Sequence, residues 1–217
     1  LYKSRQSGYN SNDLLCIKRS APVRSGSAEK ENWKRNEAFM ELTEGVRFDS
    51  LGLSPEIMRA LEKRGLVMST PVQAGCIPPM LEWKDVIAKA PTGTGKTFAY
   101  GIPIVEHIDP EDETVQAVIL APTRELAIQI TEELRNVAAF RPGVRTVCLY
   151  GGQPINKQID ILKKKPQIVV ATPGRLSDHM KRRTVRGDTA QTGVLDEAAR
   201  MLDRGFIHDV TRLLDRM

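Results

Sequence analysis

The sequence is poor in cysteine. Its three, Cys16, Cys76 and Cys148, lie far apart with no Cys-x-x-Cys pair. That spacing argues against a disulfide framework or a zinc site and suits a reducing compartment, so a cytoplasmic location is expected. No apolar run approaches the roughly 20 residues that span a bilayer. The first residues are polar and charged, unlike a secretory leader. No membrane role is expected. The bulk of the chain also lacks an excess of either charge. The net charge is +5, but residues 1–40 hold 8 Lys/Arg against 4 Asp/Glu, whereas the other 177 hold 24 against 23. A body so nearly neutral cannot hold nucleic acid through a general field, so any such grip comes from individually placed groups. What remains is an ordinary composition, 41% apolar and 27% charged over 217 residues. That is enough for one α/β domain with a sizeable core.

Residues 1–40 are rich in Ser, Asn, Lys, Arg and Gly without a sustained apolar period. They are expected to form a flexible basic tail, mostly without regular structure. From 41 to 217 a single domain is expected. Ser54-Pro55 and Thr70-Pro71 each open a helix, with a hydroxyl residue at the N-cap and proline at the first helical position. Strands and helices then alternate. Short apolar runs at 85–88, 117–120, 147–150, 168–171 and 193–196 read as strands, and helices are expected from about Lys96, from Arg124, over 155–164 and over 175–181. The runs do not alternate apolar with polar, as expected of parallel strands covered on both faces. The rhythm predicts a parallel β-sheet flanked by helices on both faces.

Two segments carry chemistry. Ala90-Pro91-Thr92-Gly93-Thr94-Gly95-Lys96-Thr97 follows a strand and opens a helix, the setting of a P-loop. Its glycines let successive N–H groups turn inward toward phosphate oxygens, and the helix N-terminus adds positive charge. Lys96 can reach the β- and γ-phosphates, and the Thr97 hydroxyl can ligate Mg²⁺. About 100 residues on, Val194-Leu195 ends a strand at Asp196-Glu197. Ligands of open α/β sheets bind at the carboxyl ends of strands. Asp196 can hold the metal, and Glu197 can orient and deprotonate an attacking water. Alone, such an acidic pair is more often a solvated helix start; beside a P-loop it gains meaning.

Several further segments, in order, resemble the DEAD-box family of ATP-dependent RNA helicases. Gly65-Leu66-Val67-Met68-Ser69-Thr70-Pro71-Val72-Gln73 is similar to the family's Q motif, and Phe48, 17 residues before Gly65, stands where the family has an isolated aromatic. Ala90 to Thr97 resembles motif I, although Ala90 replaces the first glycine of the general P-loop pattern. Pro122-Thr123-Arg124-Glu125-Leu126-Ala127 resembles motif Ia, Gly151-Gly152 the GG motif, Thr172-Pro173-Gly174-Arg175 motif Ib, and Asp196-Glu197-Ala198-Ala199 motif II. The resemblance implies a RecA-like P-loop NTPase domain. It implies ATP and Mg²⁺ bound by Pro91, Thr92, Gly93, Thr94, Gly95, Lys96 and Thr97, with Lys96, Asp196 and Glu197 catalytic and Thr97 and Asp196 on the metal. Gln73 has an amide that can pair with adenine N6–H and N7, or it is a helix-capping amide. Phe48 either faces the nucleotide or is a core aromatic. Arg124, Gly152, Thr172, Gly174 and Arg175 can offer donors to RNA phosphates, which carry little sequence information. The alternative for the two arginines is a structural ion, at a helix start or between domains. A monomer is expected.

Two departures from the family pattern bear on activity. Motif II ends in Ala199 where the family has aspartate, the carboxylate that ties it to motif III. This predicts retained ATP binding with impaired hydrolysis or coupling, which would make an ATP-gated RNA clamp. Motif III and the second RecA-like domain, which in the family supplies an arginine finger and half of the RNA surface, do not appear by Met217. These residues alone are therefore expected to bind nucleotide weakly and not to unwind RNA. A P-loop ATPase acting on DNA or driving transport is the rival, against which the Gln73 and Arg124 segments count.

Overall fold

The computed structural model describes residues 14–19 and 44–216. Strand β1 is Leu14–Arg19; a 3-10 turn at Phe48–Leu51 precedes α1 (Pro55–Lys63), α2 (Pro71–Leu81), β2 (Val86–Lys89) and α3 (Lys96–His107). Then come β3 (Ala117–Leu120), α4 (Arg124–Val137), β4 (Thr146–Leu149), α5 (Ile155–Leu162), β5 (Ile168–Ala171), α6 (Pro173–Lys181), β6 (Thr192–Leu195), α7 (Ala198–Asp203) and α8 (Ile207–Leu214). The expected helix starts hold except at α6, which begins two residues early at Pro173. Ser54 Oγ accepts from Ile57 N–H at 3.4 Å, and Thr123 Oγ1 accepts from Leu126 N–H at 3.2 Å, each satisfying an otherwise unpaired first-turn donor.

The strands form one sheet in the order β2-β1-β6-β3-β5-β4. β6, β3, β5 and β4 pair in parallel. β1 is antiparallel to both of its neighbours, β2 and β6, so those two run the same way. The expectation of an all-parallel sheet thus holds for β2 to β6 and needs correction at β1. Residues 14–19 were expected to belong to a tail without regular structure; they form this strand instead. Their six backbones fill the slot between β2 and β6 and pair the inward edge of both. The rest of the expected tail lies outside the described residues.

Period-two alternation divides the core. Ala117 and Ile119 of β3 and Ile168 and Val170 of β5 face a cluster with Ile57, Leu61, Tyr100, Ile104, Ile130 and Leu134 from α1, α3 and α4. Val118, Leu120, Val169 and Ala171 face the other way, onto Leu176, Met201, Val210 and Leu213 of α6, α7 and α8. Both faces of these central strands are therefore apolar, which explains the unbroken Val/Ile/Leu runs. At β2 one face is open: Val86 and Ala88 pack inward, whereas Ile87 is 71% exposed. Among the described residues no helix is long and apolar enough to cross a membrane.

Candidate functional site

Because β2 to β6 share one direction, the motifs that follow these strands emerge at one edge of the sheet, the carboxyl edge. Strand order then sorts them. β2 leads into the P-loop and β6 into Asp196-Glu197 at one end of that edge. β3, β5 and β4 lead into the Arg124, Thr172 and Gly152 segments at the other.

At the first end, the P-loop turns through Gly93 (φ +85°) and Gly95 (φ +87°), left-handed conformations that suit glycine. Thr94 Oγ1 donates to Pro91 O at 2.7 Å and braces the turn. Lys96 is buried and donates from Nζ to Ala90 O at 2.8 Å, so its ammonium stays inside the loop's curl. Gln73 caps α2 by accepting from Thr70 N–H at 2.9 Å through Oε1, and it donates from Nε2 to Gly95 O at 3.1 Å. It therefore latches α2 to the P-loop. These two bonds use one of its two amide protons and one of its two carbonyl lone pairs. A Cβ at Gly95 would come within 2.3 Å of Gln73 Nε2, so the cradle is closed to any side chain there. The Thr70 hydroxyl beside it is buried without a hydrogen-bond partner among the described residues.

β2 and β6 sit two strand positions apart, about 10 Å at the usual spacing. The gap is bridged by Tyr100, one turn along α3 from Thr97. Its phenol, wholly buried, donates to Asp196 Oδ2 at 2.9 Å. Burial, and then the Asp196 charge, pushes the phenol pKa well above its ordinary value, so Tyr100 remains a donor. Burial likewise raises the Asp196 carboxyl; the Tyr100 hydrogen bond and the Lys96 charge oppose the rise, and Glu197 adds to it. Glu197 takes a left-handed backbone (φ +53°), a strained state for a non-glycine residue that costs about 1–3 kcal/mol. Its Oε2 accepts from Arg200 NH1 at 2.9 Å.

The residues present fit a magnesium ion. No group of three or more His, Cys, Asp or Glu among the described residues makes a full metal cage. Mg²⁺ needs only one or two protein oxygens when substrate phosphates complete its shell. The Thr97 hydroxyl and the buried Asp196 carboxylate are donors of that kind.

Phe48 falls differently. It is 1% exposed within the main core cluster, and its N–H donates to Val67 O at 3.1 Å. Of its two sequence readings the structure has the core aromatic, and no ring face is open to a nucleotide.

At the other end, the loop after β4 is the hub. The Arg124 guanidinium lies 5.3 Å from the centre of the Tyr150 ring, and its NH1 would be 3.7 Å from a Cβ on Gly152. Arg175 NH1 donates to Gln153 O at 3.0 Å and to Gln158 Oε1 at 2.9 Å. Gln158, fully buried, also donates to Tyr150 O and faces His179 Nε2 at 3.0 Å. Arg175 therefore serves the protein with one nitrogen. Arg124, Gly152 and Gly174 are exposed, and Thr172 is half-buried as the N-cap of α6. Sequence reasoning missed Tyr100, Arg200 and Gln158. An aromatic, a helix-surface arginine and an isolated glutamine carry no local sign of the partner they find.

The fold and the chemistry of its carboxyl edge define a P-loop domain whose other end carries Arg124 and Arg175. The DEAD/DEAH box helicase family model matches residues 70–217, and the chain belongs to that family. It is 51% identical over 170 residues to the DEAD-box ATP-dependent RNA helicase CshA of Geobacillus kaustophilus, covering 78% of this chain and 36% of that protein. It is 48% identical over 172 residues to the Bacillus subtilis CshA, covering 79% and 35%. A crystal structure of a DEAD box protein from Methanococcus jannaschii superposes with a TM-score of 0.72 at 36% identity, covering 79% of this chain and 47% of that one. A hypothetical ATP-dependent RNA helicase from Sulfolobus tokodaii gives 0.66 at 32% identity, covering 76% and 47%. The chain thus spans about a third of the length of these curated relatives.

Proposed function

We propose that this chain is the ATP-binding part, with a Q motif, of an ATP-dependent RNA helicase. One contact supports the reading above the rest: the Tyr100 phenol on the P-loop helix reaches Asp196 on the neighbouring acidic tip, so the two segments are linked directly. In this reading the amides of Thr92 to Gly95 that remain donors cradle the phosphates, Pro91 opening their turn, and Lys96 leaves Ala90 O to pair with them. Gln73 reads adenine with its spare donor and acceptor. Thr97 and Asp196 hold Mg²⁺, which when bound neutralises charge on the phosphate oxygens. Glu197 leaves Arg200 to orient a water and accept its proton. RNA phosphates lie along Arg124, Gly152, Thr172, Gly174 and the free nitrogens of Arg175, with little sequence preference. A second RecA-like domain completes the site, and the protein acts as a cytoplasmic monomer. The test is RNA-stimulated ATP hydrolysis by a chain extended through that second domain. Glu197→Gln is expected to lower it about 10²- to 10⁴-fold while nucleotide still binds. Undiminished hydrolysis would refute the assignment.

Ala199 and the Glu197–Arg200 ion pair favour a second reading, an ATP-gated RNA clamp. With Glu197 engaged and the family carboxylate missing, nucleotide closes the protein on RNA but is hydrolysed slowly. A gain in ATPase on Ala199→Asp in the extended chain supports this; no gain defeats it.

A further inference from the structure

We propose that Tyr100 is a positioning residue that preorganises Asp196, a magnesium ligand of the pocket, through its phenol. The inference rests on reading that pocket as an ATP–Mg²⁺ site and adds a residue no motif contains.

A carboxylate that offers one oxygen to a cation is held in place when a donor fixes the other. Tyr100 supplies that donor: its phenol donates to Asp196 Oδ2 at 2.9 Å. With Oδ2 fixed in this way, Oδ1 of Asp196 remains for a cation.

The surroundings keep this contact in one arrangement. Tyr100 has no exposed surface and Asp196 is 3% exposed, so water does not compete for the bond. Tyr100 packs in the main core cluster with Ile102, Ile104 and Ile119, which holds its ring. Asp196 N–H donates to Leu120 O at 3.0 Å, which ties the carboxylate's backbone to β3. Phenylalanine would fill the same volume and keep the packing, but it would leave Asp196 without its donor. A phenol used only for core stability would have no bearing on metal binding.

The experiment titrates Mg²⁺ into the 217-residue chain with a fluorescent ADP and reads the magnesium concentration for half-maximal binding. Tyr100→Phe is expected to raise that concentration about tenfold, the scale of one hydrogen bond to a charged group. Ile102→Val, a core change on the same helix, lowers thermal stability and leaves the magnesium requirement where it was. An unshifted requirement in Tyr100→Phe overturns the proposal. Lys96→Ala separates the two levels: if it binds ADP as the parent does, the pocket reading fails and takes the proposal with it. If Tyr100→Phe does not fold, the parent chain decides. Its four tyrosines, labelled with carbon-13 at Cζ, give one resonance for Tyr100, which must move when Mg²⁺ joins the ADP complex. A resonance that stays in place overturns the proposal as surely.

Discussion

Replacing Gly95 with alanine should separate two costs that coincide in most P-loop variants. Gly93 and Gly95 have nearly the same left-handed backbone, φ +85° and +87°. Alanine at either position pays about 1–2 kcal/mol for that conformation. Their surroundings differ. A Cβ on Gly93 meets nothing within 4 Å, whereas one on Gly95 comes to 2.3 Å from Gln73 Nε2. To make room Gln73 must leave Gly95 O, which costs about 1 kcal/mol, and its cap on Thr70 N–H, about 1 kcal/mol more. Gly93→Ala is therefore expected to lose about 1–2 kcal/mol in urea unfolding and Gly95→Ala about 3–4 kcal/mol. The excess belongs to the Gln73 latch, so it should vanish when Gly95→Ala is made in a Gln73→Ala background. Equal losses at the two glycines, or an excess that survives removal of Gln73, would refute the view that α2 is fastened to the P-loop through this amide.

Other expectations follow from the same geometry. Leu134, fully buried between α4 and the sheet, should cost about 2–5 kcal/mol on truncation to alanine in chemical denaturation. Burial pushes the Cys76 thiol up to about 11, so iodoacetamide at pH 8 should label it only as fast as the protein unfolds; rapid labelling of the native chain would contradict its placement. Burial lowers the pKa of both His107 and His179 below the ordinary 6.5. The unfolded chain then binds these protons first as the pH falls, so their contribution is complete above about pH 6.5 and is lost progressively below it. His179→Gln should flatten that part of the profile of urea midpoint against pH.

Much of the fold could be read from the residues because its signals are local. Each strand from β2 to β6 lies within one residue of its expected place, since a four-residue apolar run buried on two faces needs no distant partner to be recognised. Ser54-Pro55, Thr70-Pro71 and Thr123 mark helix starts through bonds three residues long. Strand β1 was not legible. Leu14 to Ile17 sits in a polar, charged stretch, and its partners lie about 70 and 175 residues away at 86–89 and 192–195. Nothing in six residues encodes that slot. The site divides the same way. The P-loop and the acidic tip announce themselves by residue type and spacing, whereas the link between them is a tyrosine on a helix otherwise filled with core residues. The same limit explains Phe48, whose isolated aromatic ring fits a core or a binding face equally well until its neighbours are known.

The central claim is that the turn around Lys96 and the tip at Asp196 serve one ligand. Two-dimensional amide NMR during titration of the chain with ADP and Mg²⁺ tests it most directly. Amides of 92–97 and of 196–197 are expected to shift together along one binding curve, with Gln73 following. Shifts confined to one of the two segments, or two unrelated curves, would contradict it.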